Sequence, residues 1–446
     1  MQYQHLRGSE HAKSTGGFNR LFVETKKILP AKYDKLRLVE DGVDDAISLT
    51  EAIIMETRLW ARLEYRQVWL TLLVLVMIGV SSAALAEETT DKRPELSGGV
   101  NDKPYLTQLG QGAILGGYID MEFEVTEDGS TFDQHRFVPF ITGHVSERVT
   151  VSAEIEFEHG GNPDKDGEVK LEYAVMDFEM SEGLQFRGGV LLSPLGSFNL
   201  LHDSPLNDLT ARPTVSRQLI PSTLSESGMG LFGSFYPSEE SVLTYQAYFV
   251  NGFNEGIIDG DPGEEKLRVR EGRGSQKADN NEDKAIVVRL GFSPTLGANV
   301  GASIHTGKYD DEGTHNLTIS ALDAKWSFGE LEFQGEAAWV NANVDKVAYA
   351  TVAEKQSGLY VQANFHLLHD AVMQGSVFTL VARGDWVDFD TDIDGAKEDG
   401  FTLGLNFRPT EETVFKADYN WTWDTNVDGE KGDADNRFFF SFATYF

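Results

Sequence analysis

The chain has 446 residues, no cysteine, 24% charged side chains and a formal net charge of -33. A mean hydropathy of -0.30 is too polar for a bundle of membrane helices, and the acidity argues against binding nucleic acid or any other polyanion. Without cysteine there is no disulfide framework.

The first element in chain order is the apolar run 68–86, VWLTLLVLVMIGVSSAALA, preceded by Arg58, Arg62 and Arg66 and ending in Ala84-Leu85-Ala86. A basic flank, a short apolar core and an A-x-A end predict a secretory signal peptide over 55–86, with the mature chain beginning near Glu87. An anchoring helix is the competing reading, and the decay into Ser-Ser-Ala-Ala speaks against it. Met55 would start a signal of ordinary proportions, so residues 1–54 read as a mis-called upstream extension, with a genuine cytoplasmic extension as the alternative. Residues 1–86 hold 11 basic and 10 acidic side chains, so the remainder carries 27 against 61, a net charge of -34.

Residues 87–111 are polar and read as a periplasmic lead-in. From 112 to 446 the pattern has period two. Val149, Val151, Ala153, Ile155 and Phe157 alternate with Ser152, Glu154, Glu156 and Glu158, and Leu331, Phe333, Ala337 and Trp339 with Glu332, Gln334 and Glu336. Sixteen such segments are expected, starting near 113, 135, 149, 168, 184, 228, 241, 285, 296, 315, 330, 358, 376, 400, 413 and 436. Connections after even strands are tight, such as Ser146-Glu147-Arg148, Ser181-Glu182-Gly183 and Ser293-Pro294-Thr295. Those after odd strands are mostly longer and acidic, two of them (193–227 and 254–283) much longer. This sorting by parity predicts an all-β fold, a 16-stranded antiparallel transmembrane β-barrel of the bacterial outer membrane, in contact with its lipids. The final run Arg437–Phe446 ends on an aromatic, as read by the barrel-assembly machinery.

The third long loop, 193–227, carries Leu195, Phe198, Leu200, Leu201, Leu219 and Ile220, too apolar for a loop surrounded by water. It is expected to fold inward and narrow the lumen, with a surface loop making subunit contacts as the alternative. His202, Asp203, Asn207, Asp208, Arg212 and Arg217 are its candidate constriction residues. Candidate lumen-facing wall residues are Asp120, Glu122, Glu124, Glu154, Glu156, Glu158, Arg187, Arg289, Arg383, Lys416 and Arg437, most of them read as solvated interior. His202-Asp203 near a serine evokes a hydrolase, but such sets arise often by chance. His366, His369 and Asp370 lack ligand spacing, and the Asp-rich segments 259–261, 390–394 and 428–435 read as acidic surface rather than Ca²⁺ loops. No catalytic residue, metal or cofactor is expected.

Leu191-Leu192-Ser193-Pro194-Leu195-Gly196-Ser197-Phe198-Asn199, Asn207-Asp208, Arg212-Pro213 and Gly228-Met229-Gly230 together resemble the porins related to the phosphate-selective porins O and P. The resemblance spans roughly 110–446 and implies a homotrimeric 16-stranded channel, each chain enclosing its own pore. The phosphate-selective members line their path with an arginine ladder and a ring of lysines, whereas loop 193–227 has two arginines and no lysine. The expected function is thus passive diffusion of small hydrophilic solutes and ions with weak cation preference. A specific anion channel with a saturable phosphate-type site is the alternative, and an outer-membrane hydrolase the remote one.

Overall fold

A computed structural model describes residues 113–446. The readings made for 1–54, 55–86 and 87–111 lie outside these described residues. Sixteen strands form the wall: β1 Ala113–Thr126, β2 Gly129–Ser146, β3 Val149–Glu158, β4 Glu168–Ser181, β5 Leu184–Leu192, β6 Ser225–Phe235, β7 Val242–Val250, β8 Ala285–Thr295, β9 Ala298–Lys308, β10 Asn316–Phe328, β11 Leu331–Ala342, β12 Lys355–Leu367, β13 Val377–Asp388, β14 Lys397–Thr410, β15 Thr413–Thr425 and β16 Asp435–Tyr445. Each pairs antiparallel with its sequence neighbours, and β1 pairs with β16, so the sheet closes. Closure removes the unpaired edges that hydrocarbon cannot satisfy.

Burial runs opposite to that of a soluble protein. Glu154 and Glu156 are fully buried, while Phe137, Val151 and Leu322 on the other face are 40%, 44% and 53% exposed. The apolar side of the alternation therefore faces outward, and the charged side faces the interior. Rings gather at both margins of the apolar band. At the short-turn end Phe378, Phe407, Phe415 and Phe442 sit on adjacent strands with centroids 4.5, 6.4 and 6.1 Å apart. At the long-loop end Phe401 on β14 stacks beside Trp421 on β15, which also contacts Tyr419 of its own strand. A closed wall with an apolar outer band between aromatic girdles is a multi-pass barrel of the outer membrane.

Two expectations need correction. β2 starts at Gly129, not near 135, so the link after β1 is the two-residue turn Glu127-Asp128. The period was misread because a bulge opposite Met121 inserts one residue between Asp133 and Arg136. The turn after β8 is Leu296-Gly297, with Ser293–Thr295 still in the strand, because Gly297 takes the positive φ (+80°) that the reversal requires.

Candidate functional site

The two long connections of the barrel, 193–224 and 251–284, join β5 to β6 and β7 to β8. Their apolar residues make a shared core: Leu195, Val215, Leu219, Ile220 and Leu224 from the first meet Phe253, Ile257, Leu267 and Val269 from the second. Both pack on Leu317, Ile319, Val340, Tyr360 and Val387 at the ends of β10 to β13. A single helical turn, α1 (Thr214–Gln218), sits within the first loop.

Wall carboxylates fasten that loop by accepting its donors. Glu336 Oε2 accepts from the backbone N–H groups of Ser197 (2.6 Å) and Phe198 (3.1 Å), and its Oε1 accepts from Ser216 Oγ (2.8 Å). Asp418 accepts from Thr210 N (3.1 Å) and Oγ1 (3.0 Å), Asp385 from Thr214 N (3.1 Å), and Glu398 from Thr214 Oγ1 (2.8 Å). Asp120 accepts from Ser204 Oγ at 2.5 Å. The loop crowds Glu336 so closely that a Cβ added at Gly196, where φ is +69°, would lie 2.5 Å from its carboxylate oxygen. The alternation marks Asp120 and Glu336 as facing inward, but Asp385, Glu398 and Asp418 were missed, and the role of all five escapes it because their partners lie far away in the chain.

The expected constriction residues fare differently. His202 is buried, with Nε2 3.1 Å from Glu172 Oε1 and Nδ1 3.0 Å from Asn199 O, so it is a tether. Ser204 Oγ meanwhile donates to Asp120. Asp203 is buried and accepts from Tyr445 Oη at 2.9 Å. Asn207 donates to the His202 and Asp203 carbonyls. Asp208 meets Arg408 Nη2 (3.0 Å), Asn406 Nδ2 (3.0 Å) and Asn364 Nδ2 (2.7 Å). Burial alone would raise its pKa, but the Arg408 charge and hydrogen bond outweigh that and hold it below the usual carboxylate range. Arg217 is half exposed and lies 3.5 Å from Glu398.

Arg212 stands apart. Its Nη2 is buried without a hydrogen-bond partner among the described residues. Burial, and then the like charge of Arg136, lower its pKa. It joins His202, Asp208, Arg136, Arg383 and Lys416 around a cavity of about 10 Å³ for water centres, room for about one molecule. Asp203 and Arg217 are outside this lining.

The expected wall residues face inward but are mostly paired, which corrects the reading of a solvated interior. Arg187 binds Asp177 through two hydrogen bonds of 2.7 Å, and Arg289 binds Asp323 at 2.6 and 2.8 Å. Arg383 meets Asp385 (2.8 Å) and the Ala211 carbonyl (2.7 Å), while Lys416 donates to the Ser204 carbonyl (2.9 Å). Glu156 and Glu158 share Arg136 and Lys170, and Glu122 contacts His135 at 2.6 Å. Arg437, near Glu124 at 3.3 Å, is 45% exposed. Arg136 and Arg408 were missed, the first because the bulge shifts its phase. Also missed were Arg270 and Arg273 in the second long loop, which donate to the Ser222 (2.8 Å) and Thr223 (3.3 Å) carbonyls of the first. Burial, followed by the charges of Arg273, Arg212 and Arg217, lowers Arg270 to about 10.

No family model matches the chain. An "Uncharacterized protein" of Aquifex aeolicus (strain VF5) is 26% identical over 346 residues, covering 70% of this chain and 76% of that protein. Among solved structures, the outer membrane channel DcaP of Acinetobacter baumannii is similar at 12% identity and TM-score 0.49, over 75% of this chain and 97% of that one. Salmonella typhi OmpF, in complex with Daunomycin, is similar at 12% identity and TM-score 0.48, over 76% and 98% respectively. None of these likenesses carries a residue's role over to this chain.

Proposed function

We propose that the chain is an outer-membrane porin for passive diffusion of small hydrophilic solutes and ions, narrowed by loop 193–224 folded into its lumen. The observation that carries this is the reach of the loop. Its hydrogen bonds end on inward-facing side chains of β1, β4, β9 and each strand from β11 to β16. A short segment meets so many sides of a closed wall by crossing its interior. A homotrimer is part of this proposal, following the resemblance to the porins O and P.

A second reading, an anion channel with a saturable phosphate-type site, is favoured by one observation: Arg212 lines the cavity with a guanidinium Nη2 that is buried without a hydrogen-bond partner among the described residues. The bulk of the acidity favours weak cation preference instead. Reversal potentials in KCl gradients separate the two. Changing Arg212→Ala should strengthen cation preference, with heat-modifiable folding intact. Arg217→Ala, exposed and paired with Glu398, should do so less. Loss of a saturable phosphate current in the Arg212 variant would establish the anion channel and overturn passive diffusion. A barrel that shows no conductance in planar bilayers would sink both.

A further inference from the structure

The bulge in β2 has a chemical result. Asp120 pairs with Arg136 and Glu122 with Asp133, so Gln134 and His135 together oppose Met121. The extra residue turns the His135 imidazole inward beside two inward carboxylates, the kind of re-aiming for which bulges are used. His135 Nδ1 lies 3.1 Å from Asp120 Oδ2 and 2.6 Å from Glu122 Oε1. Asp120 is 1% exposed, and its second oxygen, Oδ1, is buried without a hydrogen-bond partner among the described residues. One imidazole N–H cannot serve all of these acceptors, since it carries a single proton.

We infer that Asp120, Glu122 and His135 form a binding site for a divalent transition-metal ion of the zinc class. The donor atoms of the three lie within 4.8 Å of one another. Ligands held at about 2.0–2.2 Å from a metal stand roughly 3.0–3.5 Å apart, so the Nδ1–Oδ2 edge already has that length and the Nδ1–Oε1 edge must widen slightly. One nitrogen with carboxylate oxygens suits zinc and its neighbours better than the all-oxygen shells of calcium or magnesium. Ser204 of the long loop, donating to Asp120 Oδ2 at 2.5 Å, is placed to orient that ligand from outside. The neighbouring cations have other partners: Arg136 binds Glu156 and Glu158, and Lys416 binds the Ser204 carbonyl. Water would complete the shell.

Binding is read without any conductance measurement, so it stands or falls separately from the channel reading. The full chain in detergent is titrated with Zn²⁺ by calorimetry in excess Mg²⁺, which occupies the acidic loops. One tight Zn²⁺ per chain is expected, weakened at least about tenfold by His135→Gln and likewise by Glu122→Gln, but not by Glu124→Gln. Absence of a tight zinc site, or equal affinity in the His135 variant, overturns the inference. Should the variants fail to fold, one equivalent of Cu²⁺ on the unaltered chain decides by electron paramagnetic resonance. Coupling to a single imidazole nitrogen supports the site, and an all-oxygen spectrum overturns it.

Discussion

Glu336 holds four donors of the long loop at once, two backbone N–H groups and two hydroxyls, on opposite flanks of its course. Removing the carboxylate leaves them buried and unpaired, at about 1–3 kcal/mol each. Glu336→Ala should therefore release the loop while the barrel persists, and trypsin should cut after Arg217, which Gln218 follows, at least about tenfold faster. An unchanged cleavage rate would mean that the shared apolar core alone holds the loop. Asp310, in the connection between β9 and β10, acts similarly on a smaller scale. It accepts from Thr314 N (2.9 Å), Thr314 Oγ1 and His315 N (both 2.6 Å). Burial pushes its pKa up, but the bonds from Thr314 and His315 win and hold it well below the usual range. A depressed folded-state pKa stabilises above the ordinary aspartate value, about 4, and that stability is lost as pH falls toward the folded value. Hydrogen-exchange protection at Thr314 and His315 should be level from pH 7 to 5 and decline toward pH 2. In Asp310→Asn it should lack this decline, and a flat profile in the unaltered chain would refute the assignment.

The strands show which features a sequence exposes. β3 is legible because Val149 to Glu158 alternate without a break, and its start at Val149 is as expected. β2 is legible only beyond its bulge, since the extra residue puts Phe132 and Asp133 out of phase with Phe137 and Val138. The apolar residues of loop 193–224 announce a packed segment, and Leu195, Leu219 and Ile220 are indeed fully buried. Which charges cancel was not legible. Arg408 and Asp208 are 200 positions apart, and no periodicity links them. On the outer face the physics is simpler. Leu322 on β10 is 53% exposed beside Val300, Leu359 and Val361. Leu322→Arg should destabilise the barrel in vesicles by about 2–4 kcal/mol if it lies near the bilayer midplane, measured by denaturant unfolding. A negligible change would place that band outside the hydrocarbon.

For the whole molecule, the large negative charge sits mainly where it is screened. Interior acids are largely paired, whereas Asp259, Glu312, Asp392, Asp394 and Asp428 lie in exposed connections. Their field reaches about 10 Å at 0.1 M salt and about 3 Å at 1 M. Cation preference arising from these loops should thus be clear in reversal potentials near 0.1 M KCl and fade toward 1 M. A preference independent of salt would shift its origin to the narrow interior.

The fastenings of the long loop also tie it to the closure of the wall. Thr210 reaches Asp418 across 208 residues, and Asp203 reaches Tyr445 across 242. Those partners belong to β15 and β16, the last of which closes the sheet against β1. Until they are paired, the loop lacks these anchors and the sheet is open. A barrel whose seam stays open would therefore be a protease-sensitive intermediate, and completing the seam would both seal the sheet and fasten the loop.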